Sequence, residues 1–140
     1  MLVEQLMSRE VVTCDAGGSL HAAVEQMLEA TVGSVIVTRD DAPVAILTET
    51  DVLRATAVTG RPLDDIPIRR VASHPLVTTS PRTTIRNAVG TMTDNDVKKL
   101  PVVAGTDLVG IITQSDIVAH YGDFIREAHR LNAQADAWEE

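Results

Sequence analysis

The sequence predicts a mixed α/β (α+β) fold: two β-α-β-β-α repeats about a pseudo-twofold axis, followed by a C-terminal helix. Three observations point to it. Residues 8–55 align with residues 73–120 at a constant offset of 65, without a gap, which marks a duplicated structural unit. In each copy an apolar set recurs at i, i+3, i+4, i+7: Leu20, Ala23, Val24, Met27, then Ile85, Ala88, Val89, Met92. Each set forms one buried face of a helix. Each copy also ends an apolar run on the same corner, AILTETD at 45–51 and GIITQSD at 110–116.

The elements follow in order. Residues 2–7 and 68–72 read as short lead-in turns. Val11-Val12-Thr13 and Leu76-Val77-Thr78 are β-prone runs. Ser19 and Thr84 precede the two amphipathic helices as N-caps. Val35-Ile36-Val37 and Leu100-Pro101-Val102-Val103 read as strands, and Pro101, which has no N–H to donate, belongs at a strand start or an edge. Arg39-Asp40-Asp41 and Ala104-Gly105-Thr106-Asp107 are turns, so each second strand pairs with the next, Val44–Leu47 or Leu108–Ile112, as a hairpin. Thr48 and Thr113 open the last helices, which carry Val52, Leu53 and Ile117, Val118. The expected boundaries are repeat 1 at 1–58, a surface linker at 59–67 with Gly60, Pro62 and Pro67, repeat 2 at 68–121, and a helical tail at 122–140. In the tail, Phe124, Ile125, Ala128, Leu131 and Ala135 form a rough apolar stripe. Packing on the protein's own core is the favoured reading, and contact with a second subunit is the alternative, because the tail region also holds Tyr121 and Trp138.

Composition narrows the function. A net charge of −8 argues against nucleic-acid partners, which need a basic face. No apolar run approaches the ~18 residues of a membrane span, and MLVEQLMSRE does not resemble a secretory leader. The single cysteine, Cys14, has no internal disulfide partner, so a cytoplasmic protein is expected. The only lysines are Lys98 and Lys99 against ten arginines, a bias that fits either adaptation to salt or a GC-rich genome. His21, His74, His120 and His129 show no metal-binding spacing. No nucleophile motif or glycine-rich phosphate loop occurs, so neither an enzyme nor a metal centre is expected.

Thr-x-x-Asp has a plain structural reading. The Thr hydroxyl accepts from an early helix N–H and the acid reaches back, as in a capping box. Two β-α-β-β-α repeats, each closing on hydrophobic-x-Thr-x-x-Asp, together with MSREVVT at 7–13 and KKLPVV at 98–103, resemble a tandem pair of CBS domains. The resemblance covers about residues 1–121. It implies a regulatory module that requires no cofactor but binds an adenosine-containing ligand, AMP, ADP, ATP or S-adenosylmethionine, in clefts between the repeats; the alternative is a structural or protein-interaction module with vacant clefts that acts through its dimer surface and C-terminal tail. It further implies a homodimer and an effector protein that responds to it.

By the same resemblance Thr113 and Asp116 take the phosphate and ribose positions of one site, and Thr48 and Asp51 those of the other. The division is chemically sensible, since a hydroxyl and free helix amides suit a phosphate whereas a carboxylate suits only the sugar. The implied base-binding walls are Val77, Thr78, Val97 and Leu100 in repeat 2, and Val12, Thr13, Val32 and Val35 in repeat 1. Which repeat supplies which wall stays open. The copies differ: Gly110 faces Ala45 in the alignment, Lys98-Lys99 faces Gly33-Ser34, and Arg82 and Arg86 face Gly17 and His21. This local basic excess makes the second motif the expected phosphate site.

Overall fold

The computed structural model describes the backbone of residues 1–139, and the side chains of residues 1–123 and 125–131. Repeat 1 runs α1 (Val3–Leu6), β1 (Thr13–Asp15), α2 (Leu20–Ala30), β2 (Ser34–Arg39), β3 (Ala42–Thr48) and α3 (Glu49–Thr59). Two 3-10 turns, Leu63–Asp65 and Ile68–Arg70, lead to repeat 2: α4 (Ile85–Asn95), β4 (Lys99–Ala104), β5 (Asp107–Thr113) and α5 (Gln114–Ala119). The tail forms α6 (Tyr121–Glu139). Ser19 and Thr84 cap α2 and α4, accepting from Ala22 and Asn87 N–H at 3.2 Å. In the first hairpin Asp40 and Asp41 both adopt positive φ, which gives the tight turn a twist that matches its strands. Among the described residues, no helix is long and apolar enough to cross a membrane.

β1 pairs with β2 in parallel and β2 with β3 in antiparallel. β4 and β5 repeat the antiparallel pair, down to a register shift at the equivalent place, Val37/Thr38 and Val102/Val103. The first strand of repeat 2, expected at Leu76-Val77-Thr78, is reduced to a single parallel bridge between Thr79 and Val102. Its physical reason is Pro101. In repeat 1 the Ile36 N–H donates to the Val12 carbonyl at 3.0 Å. The equivalent donor in repeat 2 is Pro101, which has no N–H, so that rung is missing.

The lead-ins are exchanged. Val3 and Leu6 of α1 lie in the core of repeat 2 with Ile85, Leu100 and Ile112. Ile66 of the linker, with Ile68 and Ala72 of the repeat 2 lead-in, lies in the core of repeat 1 with Leu20, Val35 and Leu47. Backbone hydrogen bonds seal both exchanges at matching positions. Ser8 and Ile111 exchange a pair at 2.9 Å each, and Ser73 and Ile46 exchange a pair at 2.8 and 3.2 Å. The Leu63–Pro67 stretch is therefore more than a surface linker, because Ile66 is buried and its carbonyl accepts from Leu20 N–H at 2.8 Å.

Among the described side chains of the tail, the apolar ones do not pack on the protein's own core. Ile125, Ala128 and Leu131 are exposed, and the described tie is an ion pair at 3.3 Å between the Met1 amine and Glu127. The side chains of Phe124, Ala135 and Trp138 lie outside the described residues.

Candidate functional site

Both Thr-x-x-Asp tetrads are capping boxes. Thr48 N–H donates to Asp51 Oδ2 at 3.0 Å and Asp51 N–H to Thr48 Oγ1 at 3.3 Å. Thr113 and Asp116 make the same pair at 2.9 and 3.1 Å. The structural role is thus real in each copy, and what differs is the rest of the carboxylate. Asp51 is buried, 7 % exposed. The Ser73 hydroxyl lies 3.4 Å from both of its oxygens, and Arg54 Nη1 3.8 Å from Oδ1. Asp116 is half-buried, and the equivalent serine, Ser8, turns instead to the Glu10 carbonyl at 3.4 Å.

Asp116 and Thr113 open onto a cleft of about 220 Å³ between the repeats. The wall facing them belongs to repeat 1: Val11 and Val12 before β1, and Val32, Gly33, Ser34 and Ile36 leading into β2. Lys99 completes the repeat 2 side. A Cβ on Gly33 would stand 3.3 Å from Lys99 Nζ, so glycine there leaves room for the lysine chain to lie across the cleft. The question of which repeat supplies which wall thus has an answer for this cleft: the carboxylate comes from one repeat and the apolar wall from the other.

Several expected wall residues lie elsewhere. Val35 and Leu100 are core residues, 1 % and 0 % exposed. Side chains alternate across a strand, so Val35 and Val37 face the helices while Ser34 and Ile36 face the cleft. In repeat 2 the same parity buries Leu100 and Val102 and sends Lys99 to the cleft. Thr13 is exposed and lines a separate surface hollow with Arg9, Thr38 and Asp107. Lys98 and Thr78 are exposed outside the cleft lining, as are Arg82 and Arg86. Val77 and Val97 are half-buried against the repeat 2 core, and Thr48 is half-buried. Sequence reasoning missed Ser8, Glu10, Val11, Gly33, Ile111, Ser34 and Ile36 in the cleft. The parity rule applied outward from Lys99 and its aligned partner Ser34 would have found the last two.

Two carboxylates, Glu10 and Asp116, and one amine, Lys99, make the cleft weakly negative. Nothing in it is arranged as a nucleophile. The remaining candidate, Cys14, is buried in the first core, and its thiol is pushed up to about 11 by burial and then by the Asp15 carboxylate. We expect Cys14 to stay unmodified by iodoacetamide at pH 8 in the folded protein and to react fully in denaturant; labelling of the native state would contradict a buried neutral thiol.

The unequal aspartates predict unequal costs. Asp51→Ala removes the cap bonds and leaves the Ser73 hydroxyl without its acceptor, at about 2 kcal/mol. Asp116→Ala loses a cap alone, about 1 kcal/mol. Urea denaturation of the two variants measures the difference, and equal losses would mean Ser73 contributes nothing.

A duplicated α/β unit whose halves enclose a cleft defines a class of paired-repeat modules. The chain belongs to the CBS domain family, whose domains match residues 3–58 and 68–123. It is 31% identical over 121 residues to an uncharacterized protein of Methanopyrus kandleri, covering 83% of this chain and 60% of that protein. It is 29% identical over 126 residues to the mitochondrial CBS domain-containing protein CBSX3 of Arabidopsis thaliana, covering 86% of this chain and 61% of that one. The chain thus spans about three fifths of the length of these two relatives. The fold matches the CBS domain pair of MJ0100, crystallised with 5′-methylthioadenosine and S-adenosyl-L-methionine, with a TM-score of 0.78 at 20% identity, over 88% of this chain and 97% of that one. CBS domain pairs are regulatory modules.

Proposed function

We propose that this chain is a regulatory sensor, not an enzyme, that binds an adenosine-containing ligand between its repeats and passes the resulting change of shape to a partner. The observation that carries this reading is the cleft in which Asp116 and Thr113 of repeat 2 face the aliphatic wall of Val12 and Val32 from repeat 1. A carboxylate with a free oxygen suits a ribose diol, and an aliphatic slot suits a purine. The cleft is small beside the ~300–1,000 Å³ of most ligand pockets, and its carboxylates outnumber its single lysine. Both features favour an adenosine ligand of little negative charge, such as S-adenosylmethionine, over ATP. The bound ligands of MJ0100 are of that kind.

Thermal shift against S-adenosylmethionine, AMP, ADP and ATP tests the reading. At 100 times its dissociation constant a single-site ligand adds about 2.7 kcal/mol of stability. We expect the gain with S-adenosylmethionine to exceed that with ATP and to vanish in Asp116→Ala. A shift with none of the four would sink the proposal. Such a ligand acts by preferring one arrangement of the repeats, and its differential affinity limits the response.

The module works as a homodimer in this reading. α2 and α3 leave Leu28 and Leu53 75 % and 70 % exposed, beside an apolar groove of about 500 Å³ that also holds Val24, Met27 and Val52. On α5, Val118 is exposed as well. Surfaces of that kind mark interfaces. Leu28→Asp with Leu53→Asp is expected to convert a dimer into a monomer by light scattering, and an unchanged mass would place the interface elsewhere. The exposed Ile125 and Leu131 on α6 favour a second role for the tail, contact with an effector. Cytoplasmic location and the absence of nucleic-acid and membrane partners complete the proposal.

A further inference from the structure

A second cavity, about 850 Å³, opens between the C-terminal half of α3 and the segment 61–71. Four arginines line it: Arg54 on α3, Arg61 just past it, and Arg69 and Arg70 on the 3-10 turn. Its only acids are Asp51 and Asp65, and its floor is apolar, with Ala55, Ile66 and Val71. In a chain of net charge −8 such a concentration needs a reason. Among the described residues, Arg61, Arg69 and Arg70 have no carboxylate within 4.0 Å, and Arg54 has only Asp51 at 3.8 Å.

The fold does not demand these cations. By the offset of 65, Arg54, Arg69 and Arg70 correspond to Ala119, Glu4 and Gln5, and only Arg61 corresponds to another arginine, Arg126, which is paired with Asp123. The same packing forms there with three of the four cations replaced by neutral or acidic side chains. In that half the equivalent place is closed by the protein itself, since α6 continues where α3 stops at Gly60 and sets Glu127 against the Met1 amine at 3.3 Å. In repeat 1 the cations stand uncovered, and the turn that presents Arg69 and Arg70 is pinned by buried Ile68 and by hydrogen bonds from Val71 and Ala72 N–H to the Ile68 carbonyl at 2.9 and 3.0 Å. Guanidinium groups on a fixed backbone suit phosphate oxygens, which they engage two at a time.

We propose that this groove binds an organic polyphosphate, with the phosphates on Arg54, Arg61, Arg69 and Arg70 and the organic part on the apolar floor. The site is separate from the cleft between the repeats and does not depend on what that cleft holds. It places anionic ligands where the cleft disfavours them, and Asp51 lies on its wall, so binding there reaches the first Thr-x-x-Asp corner.

Calorimetric titration of the full chain with tripolyphosphate and with ATP tests this. We expect saturable binding of both that weakens as salt rises. Arg69→Gln with Arg70→Gln should weaken it by about tenfold or more. Arg61→Glu, outside any helix, should act in the same direction. All these arginines are exposed, so circular dichroism should confirm unchanged folding. Asp116→Ala, in the cleft, should leave tripolyphosphate affinity unchanged. No binding by the wild type, undiminished binding in both arginine variants, or loss of tripolyphosphate binding in Asp116→Ala would overturn the assignment.

Discussion

Ile68→Ala is expected to destabilise the protein by about 2–5 kcal/mol, the cost of opening a cavity in a closed core. Ile68 is 1 % exposed. Its sequence position assigns it to repeat 2, yet its neighbours are Leu20, Val35 and Leu47 of repeat 1. Its N–H also donates to the Gly18 carbonyl at 3.2 Å. The midpoint of thermal unfolding should fall by roughly 10 °C. The shape of the transition is the sharper readout. Each core contains side chains from the other half's lead-in, so loss at Ile68 should lower one cooperative transition for both repeats. Two separated transitions in urea, with repeat 2 unchanged, would show that the exchanged lead-ins do not couple the halves.

Gly110→Ala is expected to cost about 1–3 kcal/mol through overpacking. A Cβ at Gly110 would stand 2.7 Å from the Ser8 carbonyl oxygen and 2.8 Å from Met7 Sδ. The thioether can swing away. The carbonyl is tied into the Ser8–Ile111 hydrogen-bond pair, so the lead-in must shift. The first repeat solves the same contact with the opposite sizes: Ala45 where repeat 2 has Gly110, and Ala72 where the other lead-in has Met7. Both alanines are buried. Met7→Ala should therefore rescue part of the loss in Gly110→Ala. A coupling of about 0.5 kcal/mol or more in the double-mutant cycle supports the size exchange. Strict additivity would place the whole effect on the Ser8 carbonyl. The Gly110–Ala45 difference between the two copies thus follows the close approach of the lead-in, Ser8 backbone and Met7 side chain, to β5.

Much of the fold was legible because it rests on local rules. Helical spacing marked Leu20 to Met27 and Ile85 to Met92, and both stripes lie in the cores, apart from the edge valines Val24 and Val89. The two Thr-x-x-Asp corners were visible as caps and are caps. The site was legible in part. Thr113, Asp116, Lys99, Val12 and Val32 do line one cleft, whereas Val35 and Leu100 were placed there against the strand's alternation. The apolar runs hid that parity, because consecutive valines, isoleucines and leucines offer no polar residue to mark the outward face. Ser34 and Lys99 were the markers available.

Taken alone, the sequence determined the duplication, the order of elements within each copy and the identity of the capping residues, since these depend on spacing and on contacts a few residues apart. Only the tertiary structure decided the exchange of lead-ins, the pairing of one repeat's carboxylate with the other's apolar wall, and the gathering of four arginines around a groove. These join residues far apart in the chain, in ways no local periodicity encodes. Pro101 lies between the two cases. Its missing N–H was plain in the sequence, but the strand it deprives of a rung became evident only once Thr79 and Val102 lay side by side.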